Sequence, residues 1–287
     1  MKENLLISFS GGRTSAYMTK YILDNWRHKF NILVVFANTG REFEETLIFV
    51  NECDKRWNFN TLWVEAITDP NHGKGVGAKV VTFETASRNG EPFEAMIAKH
   101  GLPNVRMSIC TRELKNYAIK AYARQIKFKN YKTAIGIRAD EIDRIQADYQ
   151  KKGFIYPLVS LGTTKSDVNK FWINNNFDLK LKGYEGNCDF CFKKSLRKLL
   201  TLTIENPDKI KWWAEMEEKY EYYIPKNRKK QNKKTTFFRN GLTTKDLIEL
   251  SNKDFERATD DSKYIENQLS LFDLDISNGC TESCEIF

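Results

Sequence analysis

The chain has 287 residues, of which 41% are hydrophobic and 13% aromatic, the composition of a folded globular protein. No apolar run approaches the roughly 18 residues of a membrane span, and the first residues enter a strand-like stretch without a signal-peptide layout. The sequence therefore predicts a cytoplasmic protein without a membrane partner. A formal net charge of +8 favours an anionic partner. Six cysteines in such a chain favour metal or redox chemistry over a disulfide framework.

Strand-like and helix-like stretches alternate along the first half. The predicted elements are a strand over Leu5–Ser8, a helix over Thr14–Trp26, a strand over Asn31–Phe36, a helix over Phe43–Trp57 and a strand over Thr61–Ala66. This order with short connections is typical of βαβ units, so we predict an α/β fold with a parallel sheet. Beyond a loop at Asp69–Gly77, interpreted as either a lid or a surface loop, we predict a helix over Arg112–Lys127, a strand over Tyr131–Ile137 and helices over Lys165–Asn176 and Lys193–Tyr220.

The segment directly after the first strand is the strongest functional signal. Two glycines stand between this strand and the first helix, flanked by the hydroxyl side chains of Ser8, Ser10, Thr14 and Ser15. A strand that turns at once into a helix presents backbone N–H groups beside a positive helix end, which together bind phosphate. The alternative is an ordinary turn that uses Gly11 and Gly12 for positive φ and close packing. No lysine follows at the spacing of the longer kinase and GTPase loop, so a different phosphate-binding family is indicated.

Four further stretches carry candidate site residues. Asn38, Thr39 and Gly40 follow the second strand, at the sheet edge where ligands of open α/β sheets bind, and are candidates for ribose or base contacts. A plain turn glycine followed by helix-terminal acids is the alternative. The other stretches are Cys110 before a helix of mixed charge, the segment Gly136–Arg144 after a strand, and the Cys-x-x-Cys of Cys188 and Cys191.

Together these residues resemble the phosphoadenosine phosphosulfate (PAPS) reductase family, within the adenine-nucleotide α-hydrolase or PP-loop ATP pyrophosphatase superfamily. The matching motifs, in the family's order, are Ser-x-Ser-Gly-Gly-x-x-Ser at Ser8–Ser15, Asn-Thr-Gly-x-x-Phe-x-Glu-Thr at Asn38–Thr46, Cys-Thr-x-x-Leu-Lys at Cys110–Lys115, Gly-Ile-Arg-x-Asp-Glu-x-x-Arg at Gly136–Arg144, Tyr156-Pro157-Leu158 and the Cys-x-x-Cys. The resemblance implies a Rossmann-like HUP-type fold with a helical C-terminal extension. We divide the chain into a nucleotide-binding domain over residues 1–200, a helical basic extension over 201–250 and an acidic, flexible tail over 251–287.

The resemblance also implies roles for single residues. The loop Ser10–Ser15, which includes Arg13, would hold phosphate or sulfate groups of ATP or PAPS, with Mg²⁺ as a possible companion. Arg138 and Arg144 would neutralise anionic oxygens, and Arg112, Lys115 and the backbone at Gly136 would add to the site. The alternative for these arginines is surface ion pairing with neighbouring acids. Thr14 stands where many superfamily loops have Asp, which counts against metal handling of the ATP-pyrophosphatase type.

The cysteines leave several cofactors open. Relatives with a 4Fe-4S cluster suggest Cys110, Cys188 and Cys191 as three thiolate ligands, with Cys280 or Cys284 as the fourth. Alternatively Cys188, Cys191, Cys280 and Cys284 hold a structural zinc ion, or no metal is bound. The C-terminus lacks the Glu-Cys-Gly-Leu-His motif of PAPS reductases proper, although Cys284 is a candidate nucleophile on the tail. Cys110, Arg138, Arg144 and Cys284 are the candidate catalytic residues.

Three functions fit these features. The first is reduction of a sulfonucleotide with a thiol reductant, and the second is ATP-dependent thiolation or modification of tRNA or DNA with an iron–sulfur cluster and a sulfur donor. The third is non-catalytic nucleotide binding. The segment Lys226–Arg239 is rich in lysine and arginine and contains Phe237 and Phe238, which favours a polynucleotide partner. A solvated loop is the alternative for this segment.

Overall fold

The computed structural model describes residues 2–186, 188–223, 225 and 234–263. Within these ranges six strands form a single sheet: β1 (Glu3–Ser8), β2 (Phe30–Asn38), β3 (Leu62–Thr68), β4 (Val76–Val81), β5 (Tyr131–Ala134) and β6 (Phe154–Ile155). Their spatial order is β4-β3-β2-β1-β5-β6, and all neighbours are parallel except β3 and β4. The predicted α/β class is therefore confirmed, and the sheet is mixed because of one antiparallel edge strand.

Nine α-helices lie within the described ranges. They are α1 (Arg13–Trp26), α2 (Glu44–Trp57), α3 (Glu91–His100), α4 (Ala118–Gln125), α5 (Pro157–Ser160), α6 (Lys165–Ile173), α7 (Leu196–Glu205), α8 (Lys209–Tyr220) and α9 (Thr244–Ser251). A π-helix over Thr111–Tyr117 leads into α4, and short 3₁₀ turns cover Ala139–Arg144 and Arg239–Gly241. None of the helices within the described ranges is long and apolar enough to cross a bilayer.

The apolar run of β1 explains its central position. Leu5, Leu6 and Ile7 are each at most 1% exposed, so β1 is covered on both faces, as strands of parallel sheets are. One hydrophobic cluster joins this strand to residues as distant as Trp213 and Leu247. The C-terminal helices therefore share the core of the sheet, while the division of the chain into three parts stays a prediction.

Several elements differ from the predicted ones. The loop expected over Asp69–Gly77 ends in strand β4, and helix α3 was not predicted, although Gly90, Pro92 and Gly101 mark its ends in the usual way. The helix expected over Arg112–Lys127 begins as a π-helix. Pro207 lies in the break between α7 and α8, within the stretch predicted as helical, because proline removes a backbone N–H donor.

The strand order places a topological switch point at β1. The chain proceeds from β1 outward through β2 and β3, then returns to place β5 on the other side of β1, with Ile7 opposite Ala134. Loops that follow β1 and β5 therefore meet at the carboxyl edge of the sheet. Crevices at such points are where open α/β sheets bind ligands.

Candidate functional site

A pocket opens at this switch point, and its floor is the loop between β1 and α1. We call it the loop pocket. Its lining comprises Ser10, Gly11, Gly12, Arg13, Thr14, Ser15, Thr46, Gly136, Arg138, Glu141, Lys165, Val168, Asn169, Leu179, Leu181, Lys182, Gly183, Gly186, Asp261 and Ser262. Four of these side chains are cationic and two are carboxylates, so the lining carries an excess of positive charge.

Hydroxyl side chains form hydrogen bonds within the loop. The Ser10 and Ser15 hydroxyls lie 2.9 Å apart, and the Ser15 hydroxyl donates to the Gly12 carbonyl at 3.0 Å. Gly12 is the N-cap of α1 and supplies no side-chain cap, and the first helical turn contains no acid. The N–H groups of that turn lack intrahelical acceptors because of helix geometry. The loop thus offers an anion both backbone donors and the positive end of a helix.

Gly11 and Gly12 serve different purposes in this loop. Gly11 has a φ of +80°, and a Cβ placed on it would lie 2.7 Å from the Thr46 Cγ2 atom. A Cβ on Gly12 would have the Ser10 Oγ atom as its nearest neighbour, at 3.8 Å. Packing within the described residues therefore explains the first glycine but not the second. The space beside Gly12 is available to a ligand.

Arg138 is the predicted cation that reaches this loop. Its Nη1 atom donates to the Thr14 hydroxyl at 3.2 Å, while its Nε atom donates to Asp140 at 2.9 Å. The guanidinium therefore bridges the loops after β1 and β5. Arg144, the second predicted arginine, donates to Glu141 at 2.5 Å and is not among the residues lining the pocket. Glu141 also accepts from the backbone N–H of Arg138, so the two arginines share one carboxylate.

Arg13 lies in the pocket wall, but its guanidinium is committed elsewhere. Its Nε and Nη2 atoms donate to the two oxygens of Asp178, at 2.7 and 2.5 Å. The remaining nitrogen donates to the Ser262 carbonyl at 2.8 Å. Arg13 therefore ties the start of α1 to residues far along the chain, a positioning role that its place in the loop motif did not indicate.

Sequence reasoning missed the opposite wall of the pocket. Lys165 and Asn169 project from α6, Lys182 and Gly183 follow Leu181, and Asp261 and Ser262 come from the region expected to be a flexible tail. No local motif distinguishes Lys165 from the other lysines of the chain. Only the topology brings these segments opposite the loop.

The predicted contacts of Asn38, Thr39 and Gly40 are taken up inside the protein. The Asn38 amide donates to the buried Glu65 carboxylate at 2.6 Å, and the Thr39 hydroxyl donates to Glu42 at 2.9 Å. Gly40, with a φ of +80°, packs against Gly90. None of the three lines the loop pocket, and neither does Ser8, which is buried at the end of β1.

Arg112 and Lys115 lie on the π-helix and also do not line the loop pocket. The Arg112 Nε atom donates to the buried Glu113 at 2.9 Å, with the guanidinium about half exposed. His100 lies 3.6 Å from the same carboxylate. Burial lowers the pKa of His100 and outweighs the opposing effect of Glu113.

The Cys-x-x-Cys turn packs beneath the loop after β2. The backbone of Cys188 forms an isolated antiparallel β-bridge with that of Glu42, and the Thr39 hydroxyl lies 3.5 Å from the Cys188 Sγ atom. Between the two cysteines, Asp189 pairs with the guanidinium of Arg41 and accepts from the Trp213 indole at 2.7 Å. A buried ion pair with this many donors fixes the position of the turn.

The cysteines expected to bind a metal are buried and not joined in disulfides: Cys110, Cys188 and Cys191. In the part of the chain that the structure describes, no three His, Cys, Asp or Glu side chains are placed to hold a metal ion together. Cys280 and Cys284 lie outside the described residues, as does most of Lys226–Arg239, so the 4Fe-4S and zinc assignments stay predictions. Phe237 and Phe238 are buried rather than exposed for base stacking.

An anion pocket at the switch point of an α/β sheet is the arrangement of nucleotide-binding proteins. Comparison with known proteins agrees, since a model of the phosphoadenosine phosphosulfate reductase domain matches residues 4–148. The "Uncharacterized nin region protein ORF290" of Escherichia phage lambda is 34% identical over 198 residues, 68% of this chain and 67% of the phage protein. The chain belongs to the phosphoadenosine phosphosulfate reductase family. Members of this family are usually enzymes, and the family domain indicates nucleotide binding.

Proposed function

We propose that the protein binds an adenine nucleotide through its phosphate or sulfate groups in the loop pocket, and that it reduces a sulfonucleotide there. The observation that carries the proposal is the loop itself. Gly12 leaves space beside uncapped helix N–H groups, and Arg138 lies against Thr14 on the same side. A permanent cation and a set of backbone N–H donors that face one space are suited to bind a phosphate or sulfate group.

The proposed reaction uses a cysteine thiolate outside the described residues as its nucleophile. The thiolate, assigned to Cys284, attacks the sulfur of the sulfo group, and the S–O bond to the nucleotide phosphate breaks with its electron pair on that phosphate. A thiol reductant then attacks the Cys284 sulfur, releases sulfite and leaves a mixed disulfide. Cys110 is not suited to this role, since it is buried and does not line the loop pocket.

Calorimetry and a sulfite assay test the two parts separately. We expect PAPS and ATP to bind the full chain, and GTP to bind more weakly because the match is to an adenine-nucleotide family. Incubation of PAPS with the protein and a dithiol should release sulfite, and Cys284→Ser should abolish this release without loss of PAPS binding. If PAPS binds but no sulfite is released, the nucleotide site stands and the proposed reduction is rejected. No binding of either nucleotide rejects the site itself.

A further inference from the structure

An acidic segment of the chain lies across the loop pocket. We call residues 258–262 the acidic strap, because Asp260 and Asp261 lie at its centre. The Ala258 N–H anchors it to the Thr201 hydroxyl of α7 at 2.9 Å. From there it crosses to the pocket, where Asp261 and Ser262 form part of the lining.

Beyond Ala258, the strap contacts residues that line the pocket. The Gly183 N–H donates to the Asp260 carboxylate at 2.9 Å, and the Arg13 guanidinium donates to the Ser262 carbonyl at 2.8 Å. The Asp261 carboxylate forms an ion pair with the Lys165 ammonium group. The strap thus supplies oxygens to an amide, a guanidinium and an ammonium, which are the groups that bind phosphate oxygens.

The Asp260 carboxylate of the strap is held in its charged form. Partial burial alone would raise the pKa of Asp260, but the N–H donors of Gly183 and Ser262 and the nearby Arg13 hold it below its usual range. Asp260 therefore anchors the strap to Gly183 as a carboxylate acceptor. The strap is also close-fitting, since a methyl group on Gly183 would collide with the Asp261 carboxylate.

We propose that Lys165 is an oxyanion-binding residue of the nucleotide site, and that Asp261 is its internal competitor, displaced when a nucleotide binds. The inference rests on the proposed nucleotide site and extends it to the opposite wall. The Lys165 and Asp261 side chains are 32% and 44% exposed, so solvent screens the pair and a bound phosphate can replace it at low cost. Asp178, the partner of Arg13, accepts through both carboxylate oxygens and is not part of the strap.

Calorimetry with ATP on four variants of the full chain tests the competition: Asp261→Asn, Asp254→Asn, Lys165→Met, and the last combined with Asp261→Asn. Asp261→Asn should lower the dissociation constant roughly two- to fivefold, the range expected for a partly exposed ion pair. Asp254→Asn is the matched control, because it removes the same charge from an exposed position outside the pocket. In a Lys165→Met background, Asp261→Asn should no longer change the affinity. Equal ATP affinities for Asp261→Asn and Asp254→Asn would overturn the proposed displacement of Asp261. So would a gain in ATP affinity from Asp261→Asn that persists in the Lys165→Met background.

Hydrogen–deuterium exchange separates this inference from the proposed function. With ATP bound, amides of residues 10–16 should exchange more slowly, and amides of residues 258–263 should exchange faster because the strap leaves the pocket. Protection of both segments would mean that the strap closes over the nucleotide, which contradicts displacement. Protection of residues 10–16 with an unchanged strap also rejects the inference while the nucleotide site stands. If neither segment responds and no variant binds ATP or PAPS, the nucleotide site itself is rejected.

Discussion

The two loop glycines allow the fold and the ligand site to be tested separately. Gly11 requires a left-handed backbone and has the Thr46 methyl, the Phe36 ring and Val50 within 2.7–3.1 Å of an added Cβ. Gly12 has a φ of −96°, which any residue adopts, and 3.8 Å to its nearest neighbour. An alanine at the first position therefore strains the protein, while an alanine at the second position enters the pocket.

The magnitudes follow from these contacts. The left-handed conformation costs an L-residue about 1–2 kcal/mol, and forcing a methyl group into packed side chains costs about 1–3 kcal/mol. Gly11→Ala should therefore lower the free energy of unfolding by about 2–5 kcal/mol. Gly12→Ala should lower it by less than about 1 kcal/mol, since it only replaces one N-cap residue by a poorer one. Its effect should instead fall on ATP binding, weakened about tenfold, or ~1.4 kcal/mol.

Urea unfolding followed by circular dichroism measures the first quantity, and calorimetry with ATP measures the second. Both variants are single methyl additions at neighbouring positions, so each is the control for the other. Equal destabilisation by the two substitutions would refute the account of Gly11. Wild-type affinity in Gly12→Ala would refute the loop as the phosphate site, because a methyl group there should crowd an oxygen bound to the helix N–H groups.

Three further outcomes follow from the described contacts. Asp189→Asn leaves Arg41 buried without its charge partner and should lower the free energy of unfolding by about 3–5 kcal/mol. The control Asp208→Asn removes a carboxylate from an exposed ion pair and should change that free energy by less than ~0.5 kcal/mol. Urea unfolding measures both, and equal effects would contradict the burial argument. Arg138→Met should weaken PAPS binding about tenfold, or ~1.4 kcal/mol, with an unchanged urea midpoint, and unchanged affinity would remove this guanidinium from the site. Hydrogen bonds from the side chain and backbone of Thr243 lower the pKa of Asp246, so its contribution to stability is present above the unfolded value of about 3.9 and is lost as pH falls through the folded value. Urea midpoints measured from pH 5 downward should thus fall less in Asp246→Asn than in wild type, and parallel curves would reject this linkage.

The sequence was sufficient for the pocket floor because the necessary signals are local. The buried run of β1, the glycine pair and the start of α1 are contiguous, and their conformations follow from strand burial, positive φ and helix geometry. Arg138 was expected at the site from the family resemblance, and the structure places it beside the loop because β5 lies next to β1 and loops after parallel neighbours share one edge. The antiparallel β4 was missed because its pairing depends on an edge position that no short pattern specifies.

The pocket walls could not be predicted because they depend on long-range contacts. Lys165 and Asp261 are separated by 96 residues, and neither belongs to a motif. Asn38 shows the converse, since its motif indicated a ligand contact while the structure gives its amide to Glu65. Glu65 is an isolated acid in a strand-like sequence, and nothing local shows that it will be fully buried and require donors.

The ion pairs around the loop pocket suggest which wall responds to a ligand. Arg13 pairs with Asp178, Lys182 with Glu205 on α7, and Arg138 with Asp140, which follows it on the same short turn. An anionic group that enters the pocket competes with each of these carboxylates for its cation. The carboxylate that is displaced most easily is the one that can move away from the pocket. Asp261 lies on the strap and pairs with Lys165, and its side chain, 44% exposed, is more exposed than those of Asp178, Glu205 and Asp140. The wall opposite the Gly-Gly loop is therefore where nucleotide binding and movement of the chain should be coupled.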